Sequence, residues 1–284
     1  MSRSEPKISV HSSNQQLPSD KPKDSLFRFA WTPDFDQMLR DLRSRAEVEP
    51  YFSTLFNLNS YIKYYFDQLE FEGKVVVSGC ESAAAFNTGL TDKCTGDSLY
   101  LAFVPNRQQN RQEWYYQGIH SGADAFARQL PHLPLKAVFT SDRADLLFDP
   151  NIDVEFNTAH LMERAMSPDG PRFPGPLTMP DLQYTLGRTI NMVKEQPWLP
   201  RAGYYASFKQ ISSYFPLWAP NSRVSDQPDA VLVLERLEGF YRATTIFGLR
   251  QAREGARLLG PLEHSFLAVT DSQDDVHGRV IRMQ

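Results

Sequence analysis

The sequence predicts an α+β protein: a mainly antiparallel β-sheet or partial barrel with N-terminal helices, a mid-chain helix and a C-terminal helix. Apolar residues recur at helical spacing up to residue 72, and again over residues 178–196 and 249–259. Between them, over residues 74–158, short runs rich in β-branched and aromatic residues are separated by turn formers. A block of strands flanked by helices is typical of the α+β class.

Two helices are predicted before the sheet. In the first, Thr32 is the expected N-cap and Pro33 the first helical residue, a position that suits proline. The second covers about residues 54–71. Gly73 is its expected stop, because glycine readily adopts the left-handed conformation that ends helices.

Seven short segments are predicted to be strands of one sheet: KVVVSG, AAAFNTG, SLYLAFV, EWYYQGI, AVFT, DLLFD and DVEFNT. Later in the chain, AVLVLER and YRATTIFG are predicted to form a hairpin that rejoins this sheet. The stretch before that hairpin, YYASFKQISSYFPLW, fits either a helix or an extended segment.

The two later helices carry clear end signals. Thr178 and Asp181 fit a capping box at the start of the mid-chain helix, and Pro197 should end that helix. The C-terminal helix, LRQAREGARLL, should stop at Gly260 and Pro261.

One domain is predicted over residues 26–269, between a disordered N-terminal tail (residues 1–25) and a flexible C-terminal tail (residues 270–284). The N-terminal stretch is polar and lacks the apolar core of a secretory signal. No stretch approaches the roughly 18 apolar residues that span a bilayer. We therefore expect a cytoplasmic protein with no membrane partner.

Charge and motif content narrow the function classes. The 284 residues include 30 basic and 34 acidic side chains, a net charge of −4, which argues against nonspecific coating of nucleic acid. The two cysteines, Cys80 and Cys94, lack zinc-ligand spacing. The sequence contains no phosphate-binding glycine loop, dinucleotide fingerprint, metalloprotease motif or nucleophile elbow. No cofactor or metal is predicted.

The letters FNT occur twice at the end of an apolar run, at residues 86–88 and 156–158. Asn87, Thr88 and Asn157 can each hydrogen-bond nearby backbone, so geometry alone explains each corner. Strand ends are also places where binding loops cluster, which makes all three candidate ligand-binding residues. Ligand binding becomes the better explanation of the two FNT corners if they meet in one pocket.

His160 is the candidate catalytic residue. It follows Asn157 by three positions and precedes Arg164 by four, so all three can share one face of a short helix. Histidine suits proton transfer at neutral pH, and a histidine bonded within the structure is the alternative. Arg172 lies in a loop stiffened by proline and glycine, where it fits a phosphate contact or a salt bridge.

Arginines late in the chain are further candidates. Arg236 ends a strand beside Glu235, on the opposite face, with Arg242 across the turn. This arrangement fits a ligand contact or cross-strand charge pairing. Arg253 and Arg257, four apart on the last helix, form a basic stripe that is either solvated surface or a phosphate contact.

Aromatic residues supply one more candidate. Trp114, Tyr115, Tyr116, Tyr204 and Tyr205 could stack on bases, at about 1–3 kcal/mol per base, or fill the core. Of these, Tyr204 is retained as a candidate ligand-binding residue.

The order of several motifs resembles one family. From about Tyr51 to Leu267, the segments AAFNTGL, DSLYLAFVPN, NTAHL, AVLVLER and YRATTIFGLRQAREGARLL are similar to a bacterial and fungal domain of unknown function, numbered thirty-eight twenty-five. In some relatives the domain is fused to small winged-helix domains that bind RNA, which implies RNA or nucleotide handling by association. Relatives carry a basic tyrosine–lysine stretch where this chain has Lys209 alone, and Lys209 is the matching candidate. The resemblance supplies no catalytic residue.

We therefore expect an RNA- or nucleotide-binding domain that recognises a nucleotide-sized ligand or an RNA end. One alternative is a hydrolase of phosphoesters, nucleotides or RNA termini, with His160 as acid or base and an arginine that stabilises charge. Another is a protein-interaction module that docks a partner on exposed aromatic residues. All three remain open on the sequence alone, as does the oligomeric state.

Overall fold

A computed structural model describes residues 25–108, 111–140, 142–168, 170, 171, 173, 175–206, 208–224, 227–263 and 265–268. Apart from Ser25, which begins the first helix, the predicted tails lie outside the described residues. The candidate Arg172 also lies outside them.

Helices and strands alternate in blocks along the described chain. The helices are α1 (Ser25–Phe29), α2 (Phe35–Arg45), α3 (Leu55–Phe71), α4 (Thr158–Ala165), α5 (Met179–Glu195) and α6 (Leu249–Leu259). The strands are β1 (Ala30–Trp31), β2 (Val76–Val77), β3 (Ala84–Thr91), β4 (Ser98–Pro105), β5 (Trp114–Ser121), β6 (Asp153–Phe156), β7 (Arg201–Tyr205), β8 (Gln210–Leu217), β9 (Ala230–Arg236) and β10 (Phe240–Phe247).

The strands form two five-stranded sheets, in the orders β1-β5-β4-β3-β2 and β6-β10-β9-β8-β7. The pairs β1–β5 and β6–β10 are parallel, and the other described pairs are antiparallel. Among the described strands, neither sheet closes into a barrel. The predicted α+β class and mainly antiparallel pairing are confirmed. The prediction of a single sheet is wrong, because the hairpin β9–β10 pairs with β6 and β8 in a second sheet, separate from the sheet of β1–β5.

The two halves of the chain share one topology. Each has a short strand, two helices and then a four-stranded antiparallel meander whose last strand lies parallel to the first. The helices are α2 and α3 in the N-terminal half and α4 and α5 in the C-terminal half, and α6 follows the second meander. The two FNT motifs do not correspond in this repeat, since Asn87 lies within β3 whereas Asn157 follows β6.

Apolar residues from both halves build one large core. It contains Phe66 of α3, Phe86 of β3 and Val233 of β9. A second core lies on the other face of the second sheet, where Leu186 of α5 packs with Leu232 of β9. Successive residues of a strand point to opposite faces, so β9 is covered on both sides, and it is continuously apolar from Ala230 to Leu234.

Helix starts follow the local signals, with one exception. At α5 the predicted capping box between Thr178 and Asp181 is present. At α2 the N-cap is Asp34 and not Thr32, because the Asp34 carboxylate accepts from the backbone N–H of Gln37 at 2.8 Å. A carboxylate is a strong acceptor at the positive end of a helix, which favours this later start.

Two predicted strands, AVFT and DLLFD, are absent from the described structure. Residues 137–140 are irregular, and residues 143–146 form a 3-10 turn. They follow β5, and both neighbouring positions of β5 in the sheet are already occupied, by β1 and β4, so neither segment can pair with the strand that precedes it. Leu147 is accordingly 69% exposed. The ambiguous stretch before β9 forms the hairpin β7–β8.

Within the described ranges, every helix is too short or too polar to traverse a bilayer.

Candidate functional site

A cleft at the edge of the second sheet contains the candidate catalytic residue. It lies where β6 ends and α4 begins, and it has a volume of about 520 Å³. We call it the His160 cleft. Its lining comes from β6, α4, the β7–β8 turn and the β9–β10 hairpin: Glu155, Phe156, Asn157, His160, Arg164, Tyr205, Phe208, Glu235, Arg242, Ala243, Thr244 and Thr245. The volume is within the range of roughly 300–1,000 Å³ that is usual for small-molecule sites.

The start of α4 places three residues on one wall of this cleft. The Asn157 side-chain oxygen accepts from the backbone N–H of His160 at 3.1 Å and caps the helix. His160 and Arg164 follow on the same face, as their spacing predicts, and both line the cleft. Leu161 and Ala165, on the opposite face, pack into the second core and fix the orientation of the helix.

A β-bulge in β10 holds His160. The ladder between β9 and β10 shifts register between Ala243 and Thr245, so Thr244 is left without a direct partner. The Thr244 carbonyl oxygen lies 3.1 Å from His160 Nε2. Because a carbonyl oxygen can only accept, Nε2 carries a proton, and in the neutral ring Nδ1 is the free acceptor.

The two arginines of the cleft differ in their partners. Arg242 lies directly opposite Glu235, and the two side chains form an ion pair of 2.9 Å. The predicted cross-strand charge pairing is thereby confirmed. The Arg164 guanidinium has no hydrogen bond or ion pair within the part of the chain that the structure describes. Its N–H donors are therefore available to a ligand. A guanidinium can donate two parallel hydrogen bonds to a phosphate or a carboxylate.

Three aromatic rings border these charges. Phe156 and Phe208 are 38% and 46% exposed. Tyr205 is half-buried and packs edge-to-face on Phe208, with ring centroids 4.8 Å apart. Burial raises the pKa of the Tyr205 hydroxyl, and the nearby charge of Arg164 opposes that rise to a smaller extent. The Arg164 guanidinium, which has no polar partner among the described residues, therefore lies close to aromatic surface.

A second cleft, of about 370 Å³, shares Glu235 with the first. We call it the Lys209 cleft, and it is lined by Phe139, Thr140, Asp145, Leu147, Lys209, Gln210, Ile211, Ser213, Glu235, Arg236 and Tyr241. The candidates Lys209 and Arg236 therefore lie together. Glu235 and Arg236 both line this cleft although they are adjacent, as the last two residues of β9.

The first FNT corner is fully engaged inside the protein. Asn87 is 3% exposed, and its side-chain amide donates to the Pro134 carbonyl at 3.2 Å while its oxygen accepts from the Gly89 N–H at 2.9 Å. Thr88 is buried and donates to the Leu99 carbonyl at 2.8 Å. Neither Asn87 nor Thr88 lines either cleft. The two FNT corners thus do not meet in one pocket.

Three other candidates lie in the interior. Tyr204 is buried, and its hydroxyl donates to the Gln68 side-chain oxygen at 3.3 Å. Arg253 and Arg257 are also buried, so the expectation of a solvated basic stripe on the last helix is wrong. Arg257 Nε lies 2.6 Å from a Glu49 carboxylate oxygen. The stripe faces inward because α6 packs against α3 and the second sheet.

Some contributors to the His160 cleft were not predicted. Glu155 and Phe156 had a sequence signal, since they immediately precede the helix cap at Asn157. Phe208 had none, because its place depends on a turn in which Lys209 has a positive φ of 52°.

The described residues contain no cluster of three or more histidine, cysteine or acidic side chains that could hold a metal ion. No curated protein and no solved structure matches the chain. One family model, described as Domain of unknown function (DUF3825), matches residues 49–266, which is well over half of the sequence. The chain therefore belongs to this family of unknown function.

Proposed function

We propose that the protein binds a nucleotide or the end of an RNA strand in the His160 cleft. A phosphate would lie on Arg164 and a base against Phe156 or Phe208. The observation that supports this most is their combination: a guanidinium without a partner among the described residues and two exposed aromatic rings share a cleft of about 520 Å³.

Each group in the cleft suits one part of a nucleotide. Arginine can give two parallel N–H donors to a phosphate. Stacking on an aromatic ring contributes about 1–3 kcal/mol per base without selecting its sequence. The amino end of α4 adds partial positive charge, which favours an anion. The carboxylate of Glu155 can accept from a ribose hydroxyl or a base amino group.

The charge of the chain favours a small ligand. A long strand is held by a row of cations that neutralise successive phosphates. Here the net charge is −4, and the carboxylates Glu155 and Glu235 stand beside Arg164 and Arg242 in the cleft. A nucleotide or a strand end needs only one or two such cations.

Calorimetric titration with the four nucleoside 5′-monophosphates and a 5′-phosphorylated RNA oligomer tests this function. Arg164→Gln should weaken phosphate-bearing ligands at least tenfold, because it removes the charge and keeps the length of the side chain. Arg107→Gln is the matched control, since Arg107 is exposed in the β4–β5 loop and lines neither cleft. Unchanged binding by Arg164→Gln would contradict the proposal. Absence of binding by any nucleotide would favour a protein partner on Phe156 and Phe208.

A phosphoester hydrolase is the second candidate, and the state of His160 favours it. With Nε2 donating to the Thr244 carbonyl, Nδ1 is left to take a proton from an attacking water. Arg164 would stabilise charge on the phosphoryl oxygens. If the protein turns over, His160→Gln should abolish product formation while nucleotide affinity stays within about threefold. If intact ligand is recovered after prolonged incubation with the wild type, the hydrolase candidate is wrong and only the binding function remains.

A further inference from the structure

The two clefts are neighbours that share a wall. Glu235 lines both of them, and the β7–β8 turn contributes to each. Phe208 of that turn lines the His160 cleft, and the next residue, Lys209, lines the Lys209 cleft. Lys209 has a positive φ of 52°, an uncommon conformation for a residue with a side chain. This local reversal lets two adjacent residues serve different clefts.

The clefts also repeat one chemical pattern. The His160 cleft has Arg164 beside exposed aromatic rings. The Lys209 cleft has Lys209 and Arg236 beside Leu147, which is 69% exposed. Lys209 contacts the Phe71 ring, with Nζ 5.1 Å from the centroid, so its charge is not neutralised by that contact. Each cleft therefore offers at least one cation and an apolar surface.

The cations of the Lys209 cleft have few internal acceptors. Among the described residues, the Arg236 guanidinium donates to the Ala144 carbonyl, at 3.5 Å. Asp145, which also lines this cleft, accepts from the Thr140 hydroxyl at 2.9 Å. The shared Glu235 is ion-paired with Arg242 in the other cleft. In the described residues, neither Lys209 nor Arg236 forms a salt bridge with a carboxylate.

We propose that the two clefts together form one surface for a dinucleotide unit: two nucleosides carrying two phosphates one nucleoside apart. One phosphate lies on Arg164 and the other on Lys209 and Arg236, and the ligand crosses the shared wall at Glu235. This inference rests on the proposed function, because it extends the nucleotide of the His160 cleft by one unit.

The test compares AMP with pApA, a 5′-phosphorylated adenylyl dinucleotide, by calorimetry on the full chain. The wild type should bind pApA at least tenfold more tightly than AMP, since a second phosphate gains two cationic donors. Lys209→Gln and Arg236→Gln should each reduce the ratio of the two affinities toward one. Lys93→Gln, an exposed lysine in the β3–β4 turn, should leave that ratio unchanged.

The possible results distinguish failure of the dinucleotide surface from failure of nucleotide binding in the His160 cleft. If AMP binds and pApA binds no more tightly, the dinucleotide surface is wrong while nucleotide binding in the His160 cleft stands. If neither binds, both are wrong. Two variants are used because Lys209→Gln alone could disturb the β7–β8 turn, whereas Arg236 lies at the end of β9. A thermal midpoint within about 2 °C of the wild type confirms that each variant is folded. A 5′-phosphorylated decamer that binds no more tightly than pApA would assign the surface to small dinucleotides, and a tighter decamer would assign it to RNA ends.

Discussion

At the scale of single residues, the two FNT motifs show how one short sequence serves two structural purposes. Asn87 is buried in the first sheet, where its side-chain amide donates a hydrogen bond to the Pro134 carbonyl. Asn157 is exposed and caps α4 at the rim of the His160 cleft. The sequence predicts the polar corner in both cases, because asparagine readily bonds nearby backbone. The sequence cannot predict which of the two asparagines is buried, since burial depends on segments that are distant in the chain.

The two asparagines should therefore respond differently to truncation. Asn87→Ala leaves the buried Pro134 carbonyl and the half-buried Gly89 N–H without these partners, so it should lower the free energy of unfolding by about 1–3 kcal/mol. Asn157→Ala removes an exposed helix cap and should cost about 0.5–2 kcal/mol. Urea denaturation of both variants measures these losses. A loss for Asn87→Ala below about 1 kcal/mol would contradict the buried contacts of Asn87.

At the scale of elements, helices were predictable and the partners of strands were not. The start of α5 follows from Thr178 and Asp181, and the end of α6 from Gly260, because these signals act within a few residues. The assignment of β9 and β10 to a second sheet depends on long-range pairing that local pattern does not encode. The last helix shows the same limit: its basic residues suggest a solvated stripe, yet they are buried where α6 packs against α3 and the second sheet.

Glu254, also on α6, should make the free energy of unfolding depend on pH. Burial raises the pKa of its carboxyl above the ordinary value of 4.5, and Arg250 opposes that rise to a smaller extent. The Glu254 carboxyl therefore holds its proton more tightly in the folded state than in the unfolded chain. The contribution of Glu254 to the free energy of unfolding falls as pH rises above 4.5. Glu254→Gln removes the charge and should stabilise the protein at pH 7.

The matching measurement is chemical denaturation of wild type and Glu254→Gln at several pH values between 4 and 8. The advantage of the variant should be smallest at the acidic end and should grow toward neutral pH. A variant that is less stable than the wild type at pH 7 would show that the Glu254 carboxylate is favourably paired.

At the scale of the whole molecule, two halves of identical topology share a single large core. Residues of α3 and β3 from the first half pack with β9 and α6 from the second. The sequence does not reveal the repeated topology, because the FNT motifs that recur in it occupy different positions in the two halves. The clefts lie on the second sheet, so the first half contributes chiefly through the core and through Phe139 of the Lys209 cleft.

The shared core predicts that the two halves unfold together, as one domain over residues 26–269 would. Trp114 in the first half and Trp218 in the second are both 3% exposed. Trp31 and Trp198 are replaced by phenylalanine in both variants, so that Trp114→Phe and Trp218→Phe each leave the other buried indole as the reporter. In each variant, the fluorescence and far-ultraviolet circular dichroism transitions should coincide in denaturant. Transitions that separate in either variant would mean that the halves are independent domains.

The most direct measurement is a crystal structure of the protein with AMP bound. We expect a phosphate within hydrogen-bond distance of the Arg164 guanidinium and an adenine ring against Phe156 or Phe208. A nucleotide bound elsewhere, such as at the first FNT corner beside Asn87, would contradict the assignment of the His160 cleft as the binding site.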